Sequence, residues 1–358
     1  MVVFFRVKKH LLLLCAALII LVIVYFSDED SLDLGWLIQP GEAPEAHLIK
    51  CYNDPQLSSL DDGSVLKNKS IFFFETSCHH NGTFLLNSRQ ACAVESAALV
   101  NPDKDVLVLV PSPFDKISTQ SHMTALLSYP NVRIEHIDMS KYFIGTPLEN
   151  WYKQGRLKTS RWPTSHTSDI LRYTTLWKFG GYYVDLDVVI LKSFNGLTNF
   201  VGAEDEEDVA AGFLAFNYGH PLIHLAMLDL KYKFKGWRWG NNGPGVITRA
   251  LKRYCRVQEV SKMTKQRCGG VEVMPPSAFY AIPWRSWMYF FSTKQSDVDW
   301  VMKTVNQSIA IHVWNFHSAS KNATVGSNQP YILLASRFCP KVYATQRTIF
   351  EKLRSVIH

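Results

Sequence analysis

The sequence predicts an α/β fold built on a Rossmann-like, mostly parallel sheet with helices on both faces. Two observations carry this prediction. Apolar runs of strand length alternate with helical patterns between residues 71 and 190, as in parallel sheets whose strands are joined by helices. The chain of 358 residues is also 47% hydrophobic and 19% charged, which allows a large core in one large domain or two small ones.

The individual elements follow from apolar periodicity and from helix caps. The first strand is the buried run at 71–74, and Asn87 or Ser88 begins a helix near 89–100 that ends before Pro102. The pattern then predicts a strand at 105–110, a helix near 118–128, a strand at 132–137, a helix near 164–179 and a strand that carries Asp185 and Asp187. Ligands of such sheets bind beyond the carboxyl ends of the strands, where residues 75–77 and the two aspartates would lie.

The two carboxylates one residue apart are the most informative local feature. In a strand, Asp185 and Asp187 would share one face, and carboxylates in so apolar a strand are costly unless a cation compensates them. A divalent cation that bridges to phosphate oxygens would do so, because hard cations choose oxygen ligands. The alternative is that the two acids cap a turn at a strand end. In the preceding helix, Asp169 and Arg172 share a face, which by itself indicates a surface ion pair.

The N-terminal region predicts one transmembrane helix in front of the α/β body. Leu11 to Phe26 is an unbroken apolar run, preceded by three basic residues and followed by three acidic ones. This charge asymmetry places the N-terminus in the cytosol and the body across the membrane. A cleaved signal peptide is the alternative, although no small-x-small cleavage site follows the run. We predict a cytosolic tail at 1–9, a transmembrane signal-anchor at 10–26, a luminal stem at 27–70 and a folded domain at 71–358.

Cysteine usage indicates an oxidising, luminal environment. Six cysteines follow the apolar run, and no Cys-x-x-Cys pair that would indicate zinc occurs. Proximity in sequence favours the pairs Cys78–Cys92 and Cys255–Cys268, and Cys51–Cys339 would then join the two ends of the domain; other pairings are open. Four Asn-x-Ser/Thr sites are candidates for glycosylation in a lumen, at Asn68, Asn81, Asn306 and Asn322.

Three segments in the second half are candidate binding regions. The alternating lysines and aromatic residues of 231–239 fit a helix end and loop, or a patch that meets lipid headgroups or a glycan acceptor. The loop at 240–245 is a plain turn before a helix or a site for an anion or a sugar hydroxyl. His312, in a strand-like run at 309–315, is a core residue or a third metal ligand. The net charge of +7, three units of which precede the apolar run, does not indicate nucleic-acid binding.

Several segments together resemble glycosyltransferase family 32, over about residues 71–340. The helix with Asp169 and Arg172, followed by Gly180-Gly181-Tyr182-Tyr183 and Asp185-Leu186-Asp187, is similar to the family's Asp-x-Asp sugar-binding region. Five further segments resemble its α1,4-galactosyltransferases that act on lactosylceramide: 72–77, 92–98, 239–244, 279–284 and 312–315. The resemblance implies a GT-A fold, a UDP-sugar donor, Mn²⁺, and a single-pass type II protein of the Golgi membrane with a luminal catalytic domain.

The reaction that the resemblance implies is retaining α1,4 transfer of galactose or N-acetylgalactosamine from UDP-galactose or UDP-N-acetylgalactosamine to the terminal sugar of a glycosphingolipid. The alternatives are an α1,4-N-acetylglucosaminyltransferase acting on O-glycans and a non-catalytic, chaperone-like luminal binding protein of the same fold. Relatives often carry Asn-Gly before the segment Phe213–Phe216, where this chain has Ala210-Ala211-Gly212. The donor sugar therefore stays open, as does association into a homodimer or with a membrane partner.

The resemblance also implies residue roles. Asp185 and Asp187 are the expected catalytic pair, and Asp187 and His312 are the expected metal ligands. The donor is expected to contact Thr76, Asp169, Arg172, Tyr183, Asp185 and Trp314. For the acceptor we expect contacts with Trp239, Asn242 and Trp284. No nucleophile follows from the sequence.

Overall fold

The structure, a computed structural model, describes residues 51–52, 59–78 and 82–350, which all belong to one compact unit, Glu45–His358. The predicted cytosolic tail, the predicted transmembrane helix, most of the predicted stem and the candidate glycosylation site Asn81 lie outside these described residues. Within the described part of the chain, no helix is long and apolar enough to cross a membrane.

Strands and helices alternate through the first half of the described chain. The strands are β1 (Ile71–Phe74), β2 (Thr83–Phe84), β3 (Val106–Val110), β4 (Lys116–Ile117), β5 (Val132–His136), β6 (Gly181–Val184), β7 (Val188–Ile190), β8 (Phe200–Ala203), β9 (Val209–Phe216), β10 (Glu272–Met274), β11 (Ala310–His312), β12 (Ala323–Thr324) and β13 (Ile349–Phe350). The α-helices are α1 (Ser88–Val100), α2 (Ser121–Leu126), α3 (Met139–Tyr142), α4 (Glu149–Lys153), α5 (Pro163–Phe179), α6 (Pro221–Lys233), α7 (Pro244–Cys255), α8 (Gln295–Val305), α9 (Asn315–Ser318), α10 (Pro330–Phe338) and α11 (Pro340–Ala344).

A seven-stranded sheet forms the centre of the fold, in the order β10-β8-β9-β6-β1-β3-β5. Only β9 runs antiparallel to its neighbours β6 and β8, and every other pair in this sheet is parallel. The predicted α/β fold with a mostly parallel sheet is therefore confirmed. Because β9 reverses direction, β8 runs parallel to β6 and both strands end at the same edge of the sheet.

Both faces of the sheet are buried under helices, as predicted. Along β1, Ile71 and Phe73 belong to one apolar cluster, whereas Phe72 and Phe74 belong to another, because successive side chains of a strand point to opposite faces. Helices α1, α10 and α11 pack on the first face, and helices α5, α6 and α7 pack on the second. Burial on both sides explains why β1 and β3 are continuous apolar runs instead of alternating ones.

Local signals predicted most boundaries to within a few residues, and one helix was predicted too long. The cap of α1 is Asn87, whose side chain accepts from the backbone N–H groups of Arg89 and Gln90 at 2.8 and 3.0 Å. The predicted helix near 118–128 is shorter, because residues 116–117 form β4 beside β2. The backbone N–H of Ser118 continues this pairing with the carbonyl of Phe84 at 2.9 Å, which keeps the chain extended.

The described part of the predicted stem packs on the domain. Tyr52, Leu60 and Val65 are buried in the same apolar cluster as α5. The Leu60 N–H donates to the His136 carbonyl at 2.8 Å, and Asp62 lies 2.8 Å from the Lys178 ammonium. Residues 51–52 and 59–70 therefore contribute to the folded unit instead of forming a spacer.

Three disulfides occur in the described residues, and only one matches its predicted pairing. Cys255–Cys268 is confirmed, with 4.3 Å between the Cα atoms. The predicted pairs Cys78–Cys92 and Cys51–Cys339 are wrong, because the bonds are Cys51–Cys78 and Cys92–Cys339, with Cα atoms 6.0 and 5.0 Å apart. Cys92 lies inside α1, which packs against α10 and therefore meets Cys339 at the end of that helix. Proximity in sequence carries no information about such helix packing.

Removal of the Cys92–Cys339 bond is expected to destabilise the protein more than removal of Cys255–Cys268. The two bonds join residues 247 and 13 positions apart, and a longer closed loop restricts the unfolded chain more. We expect the C92A/C339A variant to lose about 4–5 kcal/mol of unfolding free energy and C255A/C268A about 3 kcal/mol. Urea unfolding of the purified protein measures both values. Equal losses in the two variants would contradict the expectation.

Candidate active site

Asp185 and Asp187 lie in the turn between β6 and β7. The prediction that they share one face of a strand is wrong, because β6 ends at Val184 and the Val188 N–H closes a turn on the Asp185 carbonyl at 3.1 Å. After this turn, β7 leaves the large sheet and pairs with β11. The pairing places His312 opposite Val188, next to both carboxylates.

These three side chains form a candidate metal site. Ligand atoms of Asp185, Asp187 and His312 all lie within 4.8 Å of one another. The His312 Nε2 lies 3.3 Å from Asp187 Oδ1 and 3.8 Å from Asp185 Oδ2. Two carboxylates and an imidazole are a donor set that suits a divalent cation such as Mn²⁺.

Backbone groups orient the carboxylate and the imidazole. The N–H of Asn315 donates to Asp187 Oδ2 at 2.7 Å, and the N–H of Trp314 donates to His312 Nδ1 at 3.1 Å. A neutral imidazole that accepts at Nδ1 carries its proton on Nε2. In this arrangement the Nε2 proton of His312 lies beside both carboxylates, and His312 joins a metal only when that proton leaves Nε2.

The three groups shift one another's ionisation. Burial raises the pKa of Asp187, and the negative charge of Asp185 adds to this shift, while the neighbouring His312 opposes it. At Asp185 burial also acts to raise the pKa, but the positive charge of Arg172 and hydrogen bonding with His312 outweigh it and lower the pKa. Burial lowers the pKa of His312, while the two carboxylates outweigh burial and raise it. The cluster thus holds negative charge that a cation would neutralise.

Asp169 and Arg172 are a buried pair that extends this cluster. The Asp169 and Arg172 side chains are only 9% and 7% exposed, and Asp169 Oδ1 lies 3.0 Å from a guanidinium nitrogen of Arg172. The prediction of a surface ion pair is therefore wrong. The same arginine lies 3.5 Å from Asp185 Oδ1 and donates to the Ala211 carbonyl at 2.7 Å. It also stacks on the ring of Tyr183, whose hydroxyl donates to Asp185. Arg172 therefore joins the predicted donor-binding residues to the Asp-x-Asp turn.

The loop at 240–245 packs against Asp169. A Cβ at Gly243 would lie 2.3 Å from Asp169 Oδ1, so only glycine fits beside this carboxylate. Burial raises the pKa of Asp169 to about 7, although Arg172 opposes the shift. Asn242 is buried, and its amide donates to His166 Nε2 at 3.0 Å and to the Lys235 carbonyl at 2.9 Å. Its side chain therefore joins the loop to α5, and contact with an acceptor stays a prediction.

The remaining predicted site residues lie around the cluster. Thr76 follows β1 and donates through Oγ1 to the Thr164 carbonyl at 3.0 Å. Trp314 lies with its ring centroid 4.2 Å from that of His312 and donates through Nε1 to the Ile282 carbonyl at 2.9 Å. Trp239 and Trp284 are 45% and 38% exposed and contact neighbouring residues of α9. Because α9 begins at Asn315, the two exposed tryptophans border the metal site.

Gly212 is a site residue whose role the sequence did not predict. A Cβ at this position would lie 2.8 Å from Asp185 Oδ2 and 3.1 Å from the His312 ring. Its carbonyl also accepts from the Asp185 N–H at 2.9 Å. The need for glycine at position 212 follows only from the proximity of Asp185 and His312, which no local sequence pattern reports.

Two family sequence models match complementary parts of the chain. The "glycosyltransferase sugar-binding region containing DXD motif" matches residues 87–206, which include the Asp-x-Asp turn. The "alpha 1,4-glycosyltransferase conserved region" matches residues 215–346, which include His312. The lactosylceramide 4-alpha-galactosyltransferase of Mus musculus is 34% identical over 281 residues, covering 78% of this chain and 76% of that protein. The chain belongs to the α1,4-glycosyltransferase family.

Other similarities extend over the same region of this glycosyltransferase. The lactosylceramide 4-alpha-galactosyltransferase of Homo sapiens is 35% identical over 283 residues, covering 78% of this chain and 77% of that protein. The human alpha-1,4-N-acetylglucosaminyltransferase is 28% identical over 281 residues, covering 77% and 80%. A crystal structure of the galactosyltransferase LgtC aligns with a TM-score of 0.38 and 14% identity, covering 77% of this chain and 95% of that chain. The prediction that the protein is a hexosyltransferase enzyme is confirmed by its family.

Proposed function

We propose that this glycosyltransferase transfers galactose from UDP-galactose, with retention, to the terminal galactose of a lactosylceramide-type glycosphingolipid in an α1,4 linkage. The observation that carries the proposal is the identity of 34–35% to lactosylceramide 4-alpha-galactosyltransferases across the region that contains the Asp185–Asp187–His312 cluster. The N-acetylglucosaminyl relative is less similar, at 28%. The proposed fold type is GT-A, in agreement with an Asp-x-Asp turn at the carboxyl end of a parallel strand.

The chain's own residues supply binding and orientation. Asp185 and Asp187 would hold Mn²⁺, with His312 joining through Nε2 once its proton is displaced. Such a cation neutralises the charge that develops on a departing diphosphate. The backbone N–H of Asn315 holds Asp187 in place, and Arg172 holds the carboxylates of Asp169 and Asp185. Positioning of an acceptor hydroxyl beside the donor supplies a large part of catalysis in such transfers.

We also propose that the enzyme is a single-pass type II protein of the Golgi membrane with its catalytic domain in the lumen. The apolar run at 11–26 with basic residues before it supports the anchor. Three disulfides support an oxidising compartment. The candidate glycosylation sites Asn68, Asn306 and Asn322 are exposed. A membrane anchor would also concentrate the enzyme near glycolipid acceptors.

Transfer of N-acetylglucosamine is the second candidate, and the observation that favours it is the 28% identity over 281 residues to the human alpha-1,4-N-acetylglucosaminyltransferase. Transfer of N-acetylgalactosamine is tested beside it.

A panel of donors and acceptors tests the proposal. The purified full-length enzyme would be incubated with UDP-galactose, UDP-N-acetylgalactosamine or UDP-N-acetylglucosamine, with lactosylceramide or an O-glycan acceptor, and with Mn²⁺ or a chelator. We expect a Mn²⁺-dependent trihexosylceramide that α-galactosidase converts back to lactosylceramide. Incorporation of N-acetylglucosamine into O-glycans alone, or undiminished transfer after chelation, would contradict the proposal.

A further inference from the structure

Arg89 is a buried arginine in the first turn of α1, outside the predicted site. The residue is 6% exposed, and its guanidinium carbon lies 4.7 Å from the ring centroid of Phe291 and 5.5 Å from that of Tyr331. Its Nε has no hydrogen-bond partner among the residues that the structure describes. Because a buried charge is costly unless it is hydrogen-bonded, the contacts of its two terminal nitrogens have to offset that cost.

The terminal nitrogens of Arg89 join α1 to the C-terminal end of α9. Nη1 donates to the Ser318 carbonyl at 3.1 Å, and Nη2 donates to the Lys321 carbonyl. Ser318 is the last residue of α9 and is completely buried. The Lys321 N–H closes a turn on the Ser318 carbonyl at 2.9 Å, so the guanidinium spans this turn. One side chain therefore fixes the end of α9 to α1, as arginines near helix ends commonly do through the last carbonyls.

The N-terminal end of α9 lies at the candidate metal site. The Asn315 N–H donates to Asp187 Oδ2, and the Trp314 N–H donates to His312 Nδ1. The Ser318 N–H donates back to the Trp314 carbonyl at 2.8 Å. A single helical turn therefore separates these two N–H groups from the turn that the guanidinium binds. A shift of α9 would move the groups that orient both candidate ligands.

Local preference alone does not hold this segment in its conformation. Trp314 has φ +56° and ψ +56°, a left-handed conformation that is unfavourable for a bulky side chain. Helix α9 has only four residues, and so short a helix depends on tertiary contacts. Strained residues persist only where the surrounding structure fixes them. The bond from the Trp314 indole to the Ile282 carbonyl fixes one side of the segment, and Arg89 fixes the other.

We propose that Arg89 is a positioning residue for the metal site. By bonding Ser318 and Lys321, it keeps α9 where the Asn315 N–H orients the Asp187 carboxylate. Its guanidinium acts through the backbone of α9 and not by contact with the cation or a sugar. The inference rests on the proposed function, which assigns Mn²⁺ to the candidate metal site. Loss of a residue that supports a metal ligand typically lowers metal affinity by about 10–100-fold.

Two substitutions of Arg89 test the role. Arg89→Met keeps the apolar stem and removes every donor, whereas Arg89→Lys keeps the charge but cannot reproduce the fork that spans two carbonyls. We expect the Kd of Mn²⁺, measured with UDP and the purified full-length enzyme by electron paramagnetic resonance of free Mn²⁺, to rise about tenfold or more for Arg89→Met. Arg89→Lys should show a smaller rise, of about threefold. The acceptor KM at saturating Mn²⁺ should stay within about twofold of wild type.

Hydrogen exchange of the metal-free enzyme reports the same effect without turnover. Backbone amides of residues 314–321 should exchange faster in Arg89→Met than in wild type, because that segment loses its attachment to α1. The Lys variant should restore part of the protection. If Arg89→Met does not fold, Arg89→Lys alone decides, and a wild-type Mn²⁺ Kd together with wild-type exchange would overturn the inference.

The matched control is Glu95→Gln, on the same helix. Glu95 is completely buried, and its carboxylate accepts from the backbone N–H groups of Lys341 and Val342, both at 2.8 Å. This residue therefore joins α1 to α11, so its substitution should lower stability and leave the Mn²⁺ Kd unchanged. An equal rise in Kd for Glu95→Gln would overturn the inference, since Arg89 would then support only the fold.

Asp187→Asn separates this inference from the proposed function. If Asp187→Asn raises the Mn²⁺ Kd and Arg89→Met does not, only the positioning role is refuted. If Asp187→Asn leaves the Mn²⁺ Kd unchanged, the proposed metal site is itself wrong, and the role of Arg89 is refuted with it. A raised Kd in both variants, with Glu95→Gln at the wild-type value, supports the positioning role whichever sugar is transferred.

Discussion

Replacement of Asp187 by asparagine is expected to lower Mn²⁺-dependent transfer by more than about a hundredfold. Loss of a residue that merely supports a metal ligand costs roughly 10–100-fold in affinity or activity, and Asp187 is itself one of the three candidate ligands. Its Oδ2 accepts from the Asn315 N–H at 2.7 Å, and its Oδ1 lies 3.3 Å from His312. Asparagine keeps the shape and the first contact, so the fold should be retained. Steady-state transfer assays over a Mn²⁺ titration measure the effect.

Thermal unfolding provides a readout that is independent of turnover. Mn²⁺ with UDP should raise the Tm of the wild-type enzyme, because a ligand that binds only the native state stabilises it. The Asp187→Asn variant should lose this shift. Asp299→Asn is the matched control, since Asp299 is an exposed residue of α8. Wild-type transfer by Asp187→Asn, or a full Tm shift, would refute the metal role.

Replacement of Arg172 by methionine is expected to cost about 3–5 kcal/mol of unfolding free energy, because it leaves buried carboxylates without their counter-charge. The guanidinium lies 3.0 Å from Asp169 and 3.5 Å from Asp185, and it donates to the Ala211 carbonyl at 2.7 Å. A loss of this size is a large fraction of a typical protein's stability. Urea unfolding measures it, and transfer activity should fall as well, since Asp185 loses its positioning contact.

A second substitution distinguishes the charge effect from lost packing. In Arg172→Met/Asp169→Asn, one uncompensated charge is removed, so part of the lost stability should return. The matched control is Arg133→Met, which breaks the ion pair between Arg133 and Glu135. These two side chains are 34% and 30% exposed, and exposed ion pairs contribute about 0–1 kcal/mol to stability. If Arg172→Met lost no more unfolding free energy than Arg133→Met, Arg172 would not be needed to neutralise the buried carboxylates.

Local features of the chain could be predicted because neighbouring residues produce them. The capping box at Asn87 and Gln90 begins α1 whatever that helix packs against. The alternation of strand and helix patterns was sufficient for the α/β fold, since an apolar run of strand length flanked by helices has few other stable arrangements. Asp185 and Asp187 were identifiable from their spacing, although they lie in a turn instead of a strand.

Contacts between distant segments could not be predicted in the same way. The disulfide Cys92–Cys339 depends on the packing of α1 against α10, and the position of His312 depends on the pairing of β11 with β7. The need for glycine at position 212 arises because β9 brings its backbone against Asp185 and His312. In each case the partner is remote in sequence, so no local pattern reports it.

The sequence by itself determined the elements, their order and the pair of carboxylates at the centre of the site, because strand and helix periodicity and residue spacing are local properties of the chain. Only the tertiary structure decided which cysteines pair, that Asp169 and Arg172 are buried, and that His312 lies beside the two carboxylates. These facts depend on which elements pack together, and the free energy of that packing is a property of the whole fold.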